Sequence, residues 1–388
     1  MIRLGISLSA WYSEKKKNEV VSMEFYLPVR LLTGRGVVSR NAERLAAFGN
    51  RCLIVTGGSG AKRCGALDDV IAALGSQGVA YRIFDGVRPN PSVFSCVEGG
   101  QQALSFGAQF IVGIGGGSAL DAAKLIAVSA ANPALDAEGL YRKNWENAPL
   151  PVVLVGTTAG TGSEVTPVAV ITDPAGRKNS FHGEDFYAAL SFGDPRYTES
   201  LPLSVTASTG VDALAHCLES LLSNTATDVS RAFALQGIAQ LLAPLRTVAS
   251  GVLPSGSERE ILYHGSILGG MAISVTGTIF PHKLGYWLTE EHELPHGFAC
   301  AVFLPALLRH ADACEDANLR VLLSRCGTDP ESLTELIGAL TPKPDFTLTD
   351  AGVDALLPRW ENNAALSKTV GGVSPDELRE ILRELFVR

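Results

Sequence analysis

Runs of apolar residues alternate with helix-like segments between residues 52 and 193. The runs are CLIVT (52–56), AYRIF (80–84), AQFIVGIG (108–115), VVLVG (152–156) and VAVIT (168–172). AQFIVGIG is apolar at nearly every position, which is typical of a strand buried on both faces between parallel neighbours. Helical patterns separate the runs, at 61–74, 96–105 and 118–130. Strands separated by helices of this length predict an open α/β sheet with right-handed crossovers.

The pattern changes after about residue 198, where apolar residues recur with helical spacing. The predicted helices span 203–223, 229–245, 258–274, 297–311, 317–323, 330–340, 348–360 and 375–386. No convincing strand run interrupts them, so this half is predicted to be all-helical. The division falls near Gly193-Asp194-Pro195, which predicts an α/β domain at 24–195 and a helical domain at 196–388.

Residues 1–23 precede these domains as a predicted N-terminal extension that is mobile or loosely docked. A short apolar piece comes first, and Lys15-Lys16-Lys17 follows it. A signal peptide has its positive charge first and a longer apolar run second, so that interpretation is rejected. Met23 is a candidate for the natural start.

Composition narrows the class of protein. The chain has 388 residues, of which 46% are hydrophobic and 19% charged, so it has ample material for a core and is not a disordered or fibrous protein. The net charge of −8 and the lack of a long basic run argue against nucleic acid as a partner. No apolar stretch approaches about 18 residues, so no membrane span is predicted. Seven scattered cysteines without CxxC spacing indicate reduced thiols in a cytoplasmic enzyme.

The segment GGGSALDAAK follows the strand AQFIVGIG directly. Gly115, Gly116 and Gly117 remove every Cβ at a strand-to-helix turn, so backbone amides and the positive helix end can approach a phosphate pair. Ser118 offers a hydroxyl, and Asp121 lies one turn into the helix, where it can bond nicotinamide, ribose or substrate groups. A tight turn without a ligand is the alternative, since the standard dinucleotide loop follows the first strand.

A second loop, GTTAGTGSEVTPVAVITD, places small hydroxyl residues between two strands. Those predicted to contact a cofactor are Thr157, Thr158, Thr161 and Ser163. An ordinary polar turn is the alternative, but open α/β sheets bind ligands at the carboxyl ends of their strands, where both loops lie. Asn90, in the loop 87–92, and Lys178 complete the predicted cofactor contacts.

The first strand-to-helix turn bears on the choice of cofactor. Gly57, Gly58 and Ser59 are predicted to contact it, and no acid stands at the strand end. An acid at that place would bind the ribose hydroxyls of NAD and repel a 2′-phosphate. The hypothesis is therefore that NADP(H) is accepted and preferred.

Histidines are few, yet three occur in PHKLGYWLTEEHELPHG, at positions 282, 292 and 296. Elsewhere, GVDALAHCLES places Asp212 and His216 four residues apart on one face of a predicted helix. Such a pair alone is more often a surface feature, and it indicates a metal only if further ligands come from elsewhere. His292 lies in an acidic loop and is interpreted as a bystander, whereas His182 is a candidate to line the cleft.

Four segments occur in order: GGGSALDAAK, TTAGTGSEVT, GVDALAHCLES, and PHG before an apolar helix. Together they resemble the iron-containing (group III) alcohol dehydrogenase family over essentially the whole chain after residue 24. The resemblance implies a dehydroquinate synthase-like fold, with an N-terminal dinucleotide-binding domain and a C-terminal helical metal-binding domain. NADP or NAD and a divalent metal would meet between them. A homodimer is expected.

The family's metal ligands are an Asp and a His four residues apart, then two His separated by fourteen. In this chain these positions are Asp212, His216, His282 and His296. The resemblance implies Fe²⁺, with Zn²⁺ or Mn²⁺ as alternatives. Many members carry another His at the position of Tyr286, so a proton-relay role there passes to Tyr286, a water chain or a ribose hydroxyl. Tyr286 as a plain pocket wall is equally open.

The implied reaction is hydride transfer between nicotinamide and a small aldehyde or primary alcohol, with the metal polarising the oxygen. The spacing PHxxxYxLT is similar to a branch that includes phosphonoacetaldehyde reductases, so an anionic aldehyde is a subsidiary hypothesis. Lys283 and either Arg142 or Lys143 are candidates to meet the anion. A glycerol-1-phosphate dehydrogenase or a dehydroquinate-synthase-like enzyme on the same fold is the alternative.

Overall fold

The computed structural model describes residues 23–387, so the predicted extension lies almost wholly outside the described residues. Six parallel strands form one sheet in the order β1-β8-β5-β4-β2-β3. Its strands are β1 (Arg30–Thr33), β2 (Arg51–Thr56), β3 (Ala80–Phe84), β4 (Phe110–Gly115), β5 (Val152–Gly156) and β8 (Leu190–Gly193). All residues of β4 and β5 are buried, which confirms the open α/β sheet expected from their apolar runs.

Helices connect these strands and cover both faces of the sheet. They are α1 (Val37–Arg40), α2 (Glu43–Ala46), α3 (Gly60–Arg63), α4 (Ala66–Ser76), α5 (Val93–Phe106), α6 (Gly117–Ala131) and α7 (Ala137–Tyr141). Residues of α6 pack with those of α5 in one apolar cluster, and residues of α1 and α4 lie in a second cluster on the other face. The sheet is therefore doubly covered, as parallel sheets require.

The strand register brings the carboxyl ends of the central strands to one edge. Gly115 of β4 pairs with Gly156 of β5, and Gly156 pairs with Gly193 of β8. Thr56, the last residue of β2, pairs with Ile114. The glycine loop and the hydroxyl-rich loop leave the sheet at this shared edge.

The prediction that VAVIT belongs to this sheet was wrong. The segment forms β6 (Val168–Thr172), which pairs antiparallel with β7 (Lys178–His182) in a separate two-stranded sheet. Its residues alternate between half-buried and buried positions, which suits a ribbon covered on one face. The short strands β1 and β8 complete the parallel sheet instead. Each has only four residues, which is too short a run for a strand pattern to be recognised in the sequence.

Residues 203–387 form the helical half and contain no strand longer than an isolated bridge. Its helices are α8 (Leu203–Leu221), α9 (Asp228–Ala249), α10 (Gly256–Thr276), α11 (Phe280–Glu291), α12 (His296–Ala301), α13 (Leu304–Ala313), α14 (Ala317–Cys326), α15 (Pro330–Leu340), α16 (Asp350–Leu356), α17 (Ala364–Lys368) and α18 (Pro375–Phe386). The all-helical prediction is confirmed.

Two helical predictions differ in detail from the structure. The segment predicted as one helix over 297–311 is two helices, α12 and α13, because Pro305 at the start of α13 lacks the amide that would continue the preceding turn. Helix α11 was not predicted at all. Pro281 and Gly285 interrupt the apolar periodicity, so no element was predicted between residues 274 and 297.

In the part of the chain that the structure describes, no single helix is long and apolar enough to cross a membrane. The stretch His296–Ala313 with Ala317–Cys326 reaches that length and hydropathy only as a pair bent by 113°. Apolar residues of this pair, among them Phe303, Leu307 and Leu322, lie in the core of the helical half.

Candidate active site

Helix α8 runs through the core of the helical half and carries the first two predicted metal ligands. Asp212 is 2% exposed and His216 is 5% exposed, at positions that an i, i+4 spacing puts on one face. The Nδ1 atom of His216 lies 3.3 Å from the carbonyl oxygen of Gly160 in the hydroxyl-rich loop. When Nδ1–H donates to that carbonyl, Nε2 is left as the free nitrogen.

The other two predicted ligands begin the helices that follow. His282 lies in the first turn of α11, and His296 is the first residue of α12. Gly297 explains the glycine of the PHG segment, because a Cβ there would lie 1.9 Å from the carbonyl oxygen of Ser208 in α8. Only glycine allows α12 to approach α8 so closely.

The three helices bring the predicted ligands together. His282 Nε2 lies 3.5 Å from Asp212 Oδ1, and His296 Nε2 lies 4.0 Å from the same oxygen. The ring of His216 stacks on that of His282 with centroids 4.7 Å apart. Asp212, His282 and His296 also share a set of donor atoms within 4.8 Å of one another, and its fourth member is Cys300 rather than His216.

Glu219 is a site residue that the sequence analysis missed. Its carboxylate accepts a hydrogen bond from His282 Nδ1 and another, of 2.8 Å, from the amide of Ile279. Nε2 of His282 therefore faces Asp212 and His296. A signal did exist in the sequence, since Glu219 follows His216 by three residues, one turn along α8, in GVDALAHCLES.

This arrangement fits a divalent cation. Asp212 Oδ1 and His282 Nε2 are buried and have no hydrogen-bond partner among the described residues. Buried polar atoms without partners are costly, and a cation between them would satisfy both. One carboxylate and several imidazoles are donors that Fe²⁺, Zn²⁺ and Mn²⁺ accept.

The protonation of three of these groups, Asp212, His216 and His296, also suits a cation. Burial would raise the pKa of Asp212, but the neighbouring imidazoles, His216 foremost, hold that pKa below its usual range. Burial lowers the pKa of His216 to about 4, which leaves its imidazole neutral at pH 7. Burial also lowers the pKa of His296, aided by the ammonium of Lys178. An ionised carboxylate and neutral imidazoles are the forms that bind metals.

The two predicted cofactor loops fit closely against each other. A Cβ on Gly116 would lie 3.1 Å from Thr158, and one on Gly117 would lie 2.7 Å from Thr161. Helix α6 begins at Gly117, so its free amides point from this glycine turn. Such a cradle suits the phosphates of a dinucleotide.

A cavity of about 310 Å³ joins this cradle to the ligand cluster. Predicted cofactor residues that line it are Asn90, Gly117, Ser118, Asp121, Thr161, Ser163 and Lys178. Predicted metal and catalytic residues that line it are Asp212, His216, His282, Tyr286 and His296. The remaining predicted cofactor residues lie outside this lining, at the ends of β2, β4 and β5: Gly57, Gly58, Ser59, Gly115, Gly116, Thr157 and Thr158.

Two of the predicted cofactor residues also brace the loop. Asp121 accepts hydrogen bonds from the Ser163 hydroxyl at 2.7 Å and from the Val170 amide at 2.9 Å. Lys124 is fully buried and donates to Ser163 at 2.9 Å. Both Asp121 oxygens thus have protein partners, so this carboxylate fixes the loop to helix α6 and to strand β6.

The end of β2 cannot hold an acidic side chain at its first loop position. A Cβ on Gly57 would lie 2.4 Å from the carbonyl oxygen of Val87. Gly58, which follows, has φ near +52°, a conformation that favours glycine. The backbone conformation at Gly57 and Gly58 therefore disfavours any side chain there, including an acidic one.

Four basic side chains line the same cavity. Lys178, Lys283, Lys368 and His182 all line it. Two of the ammonium groups lie over the ring of Tyr286, with Lys178 Nζ 5.2 Å and Lys283 Nζ 4.9 Å from its centroid. Burial, aided by Lys283, lowers the pKa of His182 to about 4, so the positive charge at pH 7 comes from the lysines.

Arg142 and Lys143, the other candidates for meeting an anion, do not line this cavity. Arg142 pairs with Glu138 at 2.7 Å on the surface, and Lys143 donates to the His182 carbonyl at 3.3 Å. His292 also lies away from the ligand cluster, where its ring stacks on Phe346 with centroids 3.6 Å apart.

Two protein-family models match this chain, one over the α/β half and one over the helical half. Residues 28–195 match the family described as iron-containing alcohol dehydrogenase. Residues 206–345 match the C-terminal part of the Fe-containing alcohol dehydrogenase family.

Two relatives with curated descriptions span most of the chain. Alcohol dehydrogenase 4 of Schizosaccharomyces pombe is 32% identical over 76% of this chain and 70% of its own length. The sulfoacetaldehyde reductase of Bilophila wadsworthia is 33% identical over 72% of each.

Solved structures share the fold. An iron-containing alcohol dehydrogenase from Thermotoga maritima superposes with a TM-score of 0.85 at 32% identity, covering 94% of this chain and 99% of its own. A sulfoacetaldehyde reductase from Bifidobacterium kashiwanohense, solved with NAD⁺, gives 0.84 at 24% identity, covering 95% and 100%.

Proposed function

Because the chain belongs to the iron-containing alcohol dehydrogenase family, we propose that this cleft reduces a small anionic aldehyde to its primary alcohol. The protein is an oxidoreductase that works with NAD(P) and a divalent metal. One observation carries the proposal: a single cavity joins the glycine cradle, the ligand cluster and three lysines.

In this proposal Asp212, His216, His282 and His296 hold the cation, with Fe²⁺ as the expected ion. When bound, the cation polarises a carbonyl oxygen and the nicotinamide supplies hydride. The chain's own residues orient and enclose the reactants. Glycines of the cradle and Ser118 position the dinucleotide phosphates, and the buried floor around Asp212 excludes water.

The anionic substrate is proposed from the charges opposite the ligand cluster. Lys178 and Lys283 both lie against the ring of Tyr286, which restricts where their ammonium groups lie. Lys368 adds a third positive charge at the exposed rim. A neutral aldehyde would gain little from three ammonium groups, whereas a phosphonate or sulfonate would gain charge-assisted hydrogen bonds. Phosphonoacetaldehyde fits this description.

Tyr286 therefore has a proposed role at the wall of the pocket. Its ring lies 5.8 Å from that of His296, so it adjoins both the lysines and the ligand cluster. An aldehyde that reached the cluster would have its anionic group beside this ring. The tyrosine would fix the lysines while its hydroxyl remains a candidate for passing a proton.

The test is a comparison of kcat/KM for phosphonoacetaldehyde, sulfoacetaldehyde, propanal and dihydroxyacetone phosphate, each followed by NADPH oxidation. The anionic aldehydes are expected to be favoured over propanal by at least an order of magnitude, about 1.4 kcal/mol or more. Preference for dihydroxyacetone phosphate would instead favour a glycerol-1-phosphate dehydrogenase.

Two lysine variants localise the effect. Lys283→Met is expected to remove most of the preference for anionic aldehydes and to leave propanal reduction largely unchanged. Lys143→Met is the matched control, because Lys143 lies nearby but bonds the His182 carbonyl outside the cavity. Equal losses in both variants would contradict a specific anion site.

The homodimer and the cytoplasmic location stay predictions that accompany this proposal. Light scattering behind size-exclusion chromatography measures the first, and a mass of about twice 40.9 kDa is expected. Cell fractionation measures the second.

A further inference from the structure

Cys300 is a side chain in the ligand cluster with no role in the proposed function. It follows His296 by one turn of α12, so both side chains share a face. Its sulfur lies 3.7 Å from Nδ1 and 3.9 Å from Nε2 of His296, and the residue is fully buried. A buried thiol at this distance from a metal-ligating ring is itself within reach of a cation.

The spacing of the possible metal-binding atoms supports Cys300 as a ligand. Asp212, His282, His296 and Cys300 each offer an atom, and all four atoms lie within 4.8 Å of one another. Donors around a tetrahedral zinc ion, with bonds of about 2.0 to 2.3 Å, lie roughly 3.3 to 3.8 Å apart. Asp212 Oδ1 lies 3.5 Å from His282 Nε2 and 4.0 Å from His296 Nε2, and the Cys300 sulfur lies 3.7 Å from His296 Nδ1, all close to that spacing.

A second observation points to a ligand at the same place. Asp212 and His282 belong to this set of four residues, and their Oδ1 and Nε2 atoms are buried without a hydrogen-bond partner among the described residues. The sulfur therefore belongs to a group of donors in which two residues have polar atoms that a cation would satisfy.

We infer that Cys300 is a further, thiolate donor to the cation that Asp212, His216, His282 and His296 hold. This inference rests on the proposed function, since it concerns the same metal site. On binding, the S–H bond breaks, the proton leaves to solvent and a sulfur–metal bond forms. A thiolate makes the site softer, so it favours Zn²⁺ over Fe²⁺ compared with a site of carboxylate and imidazoles alone.

The test uses the purified full chain, stripped of metal and loaded with one equivalent of Co²⁺. Thiolate-bound Co²⁺ has a near-ultraviolet charge-transfer band that carboxylate and imidazole ligands do not give. The wild-type protein is expected to show this band, and Cys300→Ser and Cys300→Ala are expected to lose it while still binding Co²⁺. Circular dichroism confirms that each variant is folded.

Cys217→Ala is the matched control. Cys217 is also fully buried and adjoins His216, but its sulfur faces α9, because a Cβ on Gly237 would lie 2.6 Å from it. This variant is expected to keep the band. A second readout is competition between Zn²⁺ and Fe²⁺, in which Cys300→Ala is expected to lose zinc selectivity.

The outcomes separate this inference from the proposed function. Stoichiometric cobalt without the band, or a band that persists in Cys300→Ala, overturns the thiolate donor and leaves the proposed reaction standing. If the wild-type chain binds no cobalt, the metal site itself fails and both are overturned.

Discussion

At the scale of single residues, the carboxylate of Glu219 determines which nitrogen of His282 faces the ligand cluster. It accepts from Nδ1, so Nε2 is the nitrogen left for a cation. Carboxylates that hold a ligating imidazole in this way orient the ring and raise its basicity.

Glu219→Gln is therefore expected to weaken metal binding by about 10- to 100-fold while the fold is retained. The amide oxygen can still accept from the Ile279 amide, which turns the NH2 group toward His282, so both the charge and the acceptor for His282 Nδ1–H are lost. Competition with a chelator measures the dissociation constant. Glu377→Gln is the control, since Glu377 bonds Nδ1 of His310 away from the site, and an equal loss there would contradict the assignment.

Lys178 gives a prediction about pH. Burial lowers the pKa of this lysine from its ordinary value of 10.5, so its ammonium is lost as pH rises through that lowered pKa. The KM for sulfoacetaldehyde is expected to increase over the same alkaline range, while the KM for propanal stays flat. The sulfonate stays ionised throughout, so the change would come from the protein.

Lys178→Arg tests the assignment, because a guanidinium keeps its charge at every pH in that range. Steady-state kinetics from pH 7 to 10 should show no alkaline rise in KM for this variant. A rise that survives the substitution would mean that another group titrates.

Residues that act through three-dimensional contact were the hardest to find from sequence. The spacing of Asp212, His216, His282 and His296 was visible because the family resemblance supplied it. Glu219 and Cys300 each follow a predicted ligand by one turn of helix, but that spacing alone does not show that they contact the cluster. Their importance depends on helix packing that brings residues 60 to 90 positions apart into contact, and periodicity along the chain does not report such contacts.

At the scale of elements, the site depends on how closely α8, α11 and α12 pack. Gly297 permits the contact between α12 and the backbone of α8, and Gly285 of α11 similarly faces the backbone of α12. Because His282 and His296 begin their helices, a small shift of either helix moves a ligand.

Gly297→Ala is expected to push α12 away from α8 and to lower the free energy of unfolding by about 1 to 3 kcal/mol. Metal affinity should fall with it, because His296 adjoins the clash. Gly338→Ala is the control, since a Cβ there meets nothing within 4 Å in α15, and stability should stay equal or rise by up to about 1 kcal/mol. Denaturant titration measures both, and equal stability of the two variants would contradict the packing argument.

Elements with a long, regular pattern were predicted well, and short or interrupted ones were not. The runs at β2, β4 and β5 and the long helices α8, α9 and α10 lie close to their expected positions. VAVIT was misplaced because its composition suits any strand, and only its pairing with β7 reveals a separate ribbon. Helix α11 was missed because Pro281 and Gly285 fall where apolar residues were expected.

At the scale of the whole molecule, the parallel sheet and the helical half contribute different parts of one cavity. The sheet ends supply the cradle and the helices supply the ligands. The domain boundary at 195 and 196 stays a prediction, supported by the end of β8 at Gly193 and the start of α8 at Leu203.

The choice between NADP and NAD depends on the loop after β2, at the same edge of the sheet. An acid at Gly57 would collide with the Val87 carbonyl, so no carboxylate repels a 2′-phosphate there. NADPH is expected to give a higher kcat/KM than NADH, as initial rates at matched concentrations would show. A strong preference for NADH would contradict the hypothesis.

The contact between His216 and the Gly160 carbonyl links the two halves chemically. Gly160 belongs to the loop that packs on the glycine cradle, and His216 belongs to the ligand cluster. If dinucleotide binding orders that loop, it also steadies the imidazole, and the two binding equilibria become coupled. Such coupling is reciprocal, so the factor by which NADPH tightens the metal must equal the factor by which the metal tightens NADPH. Titrating NADPH with and without the metal, and the metal with and without NADPH, would give two independent measurements of the same factor.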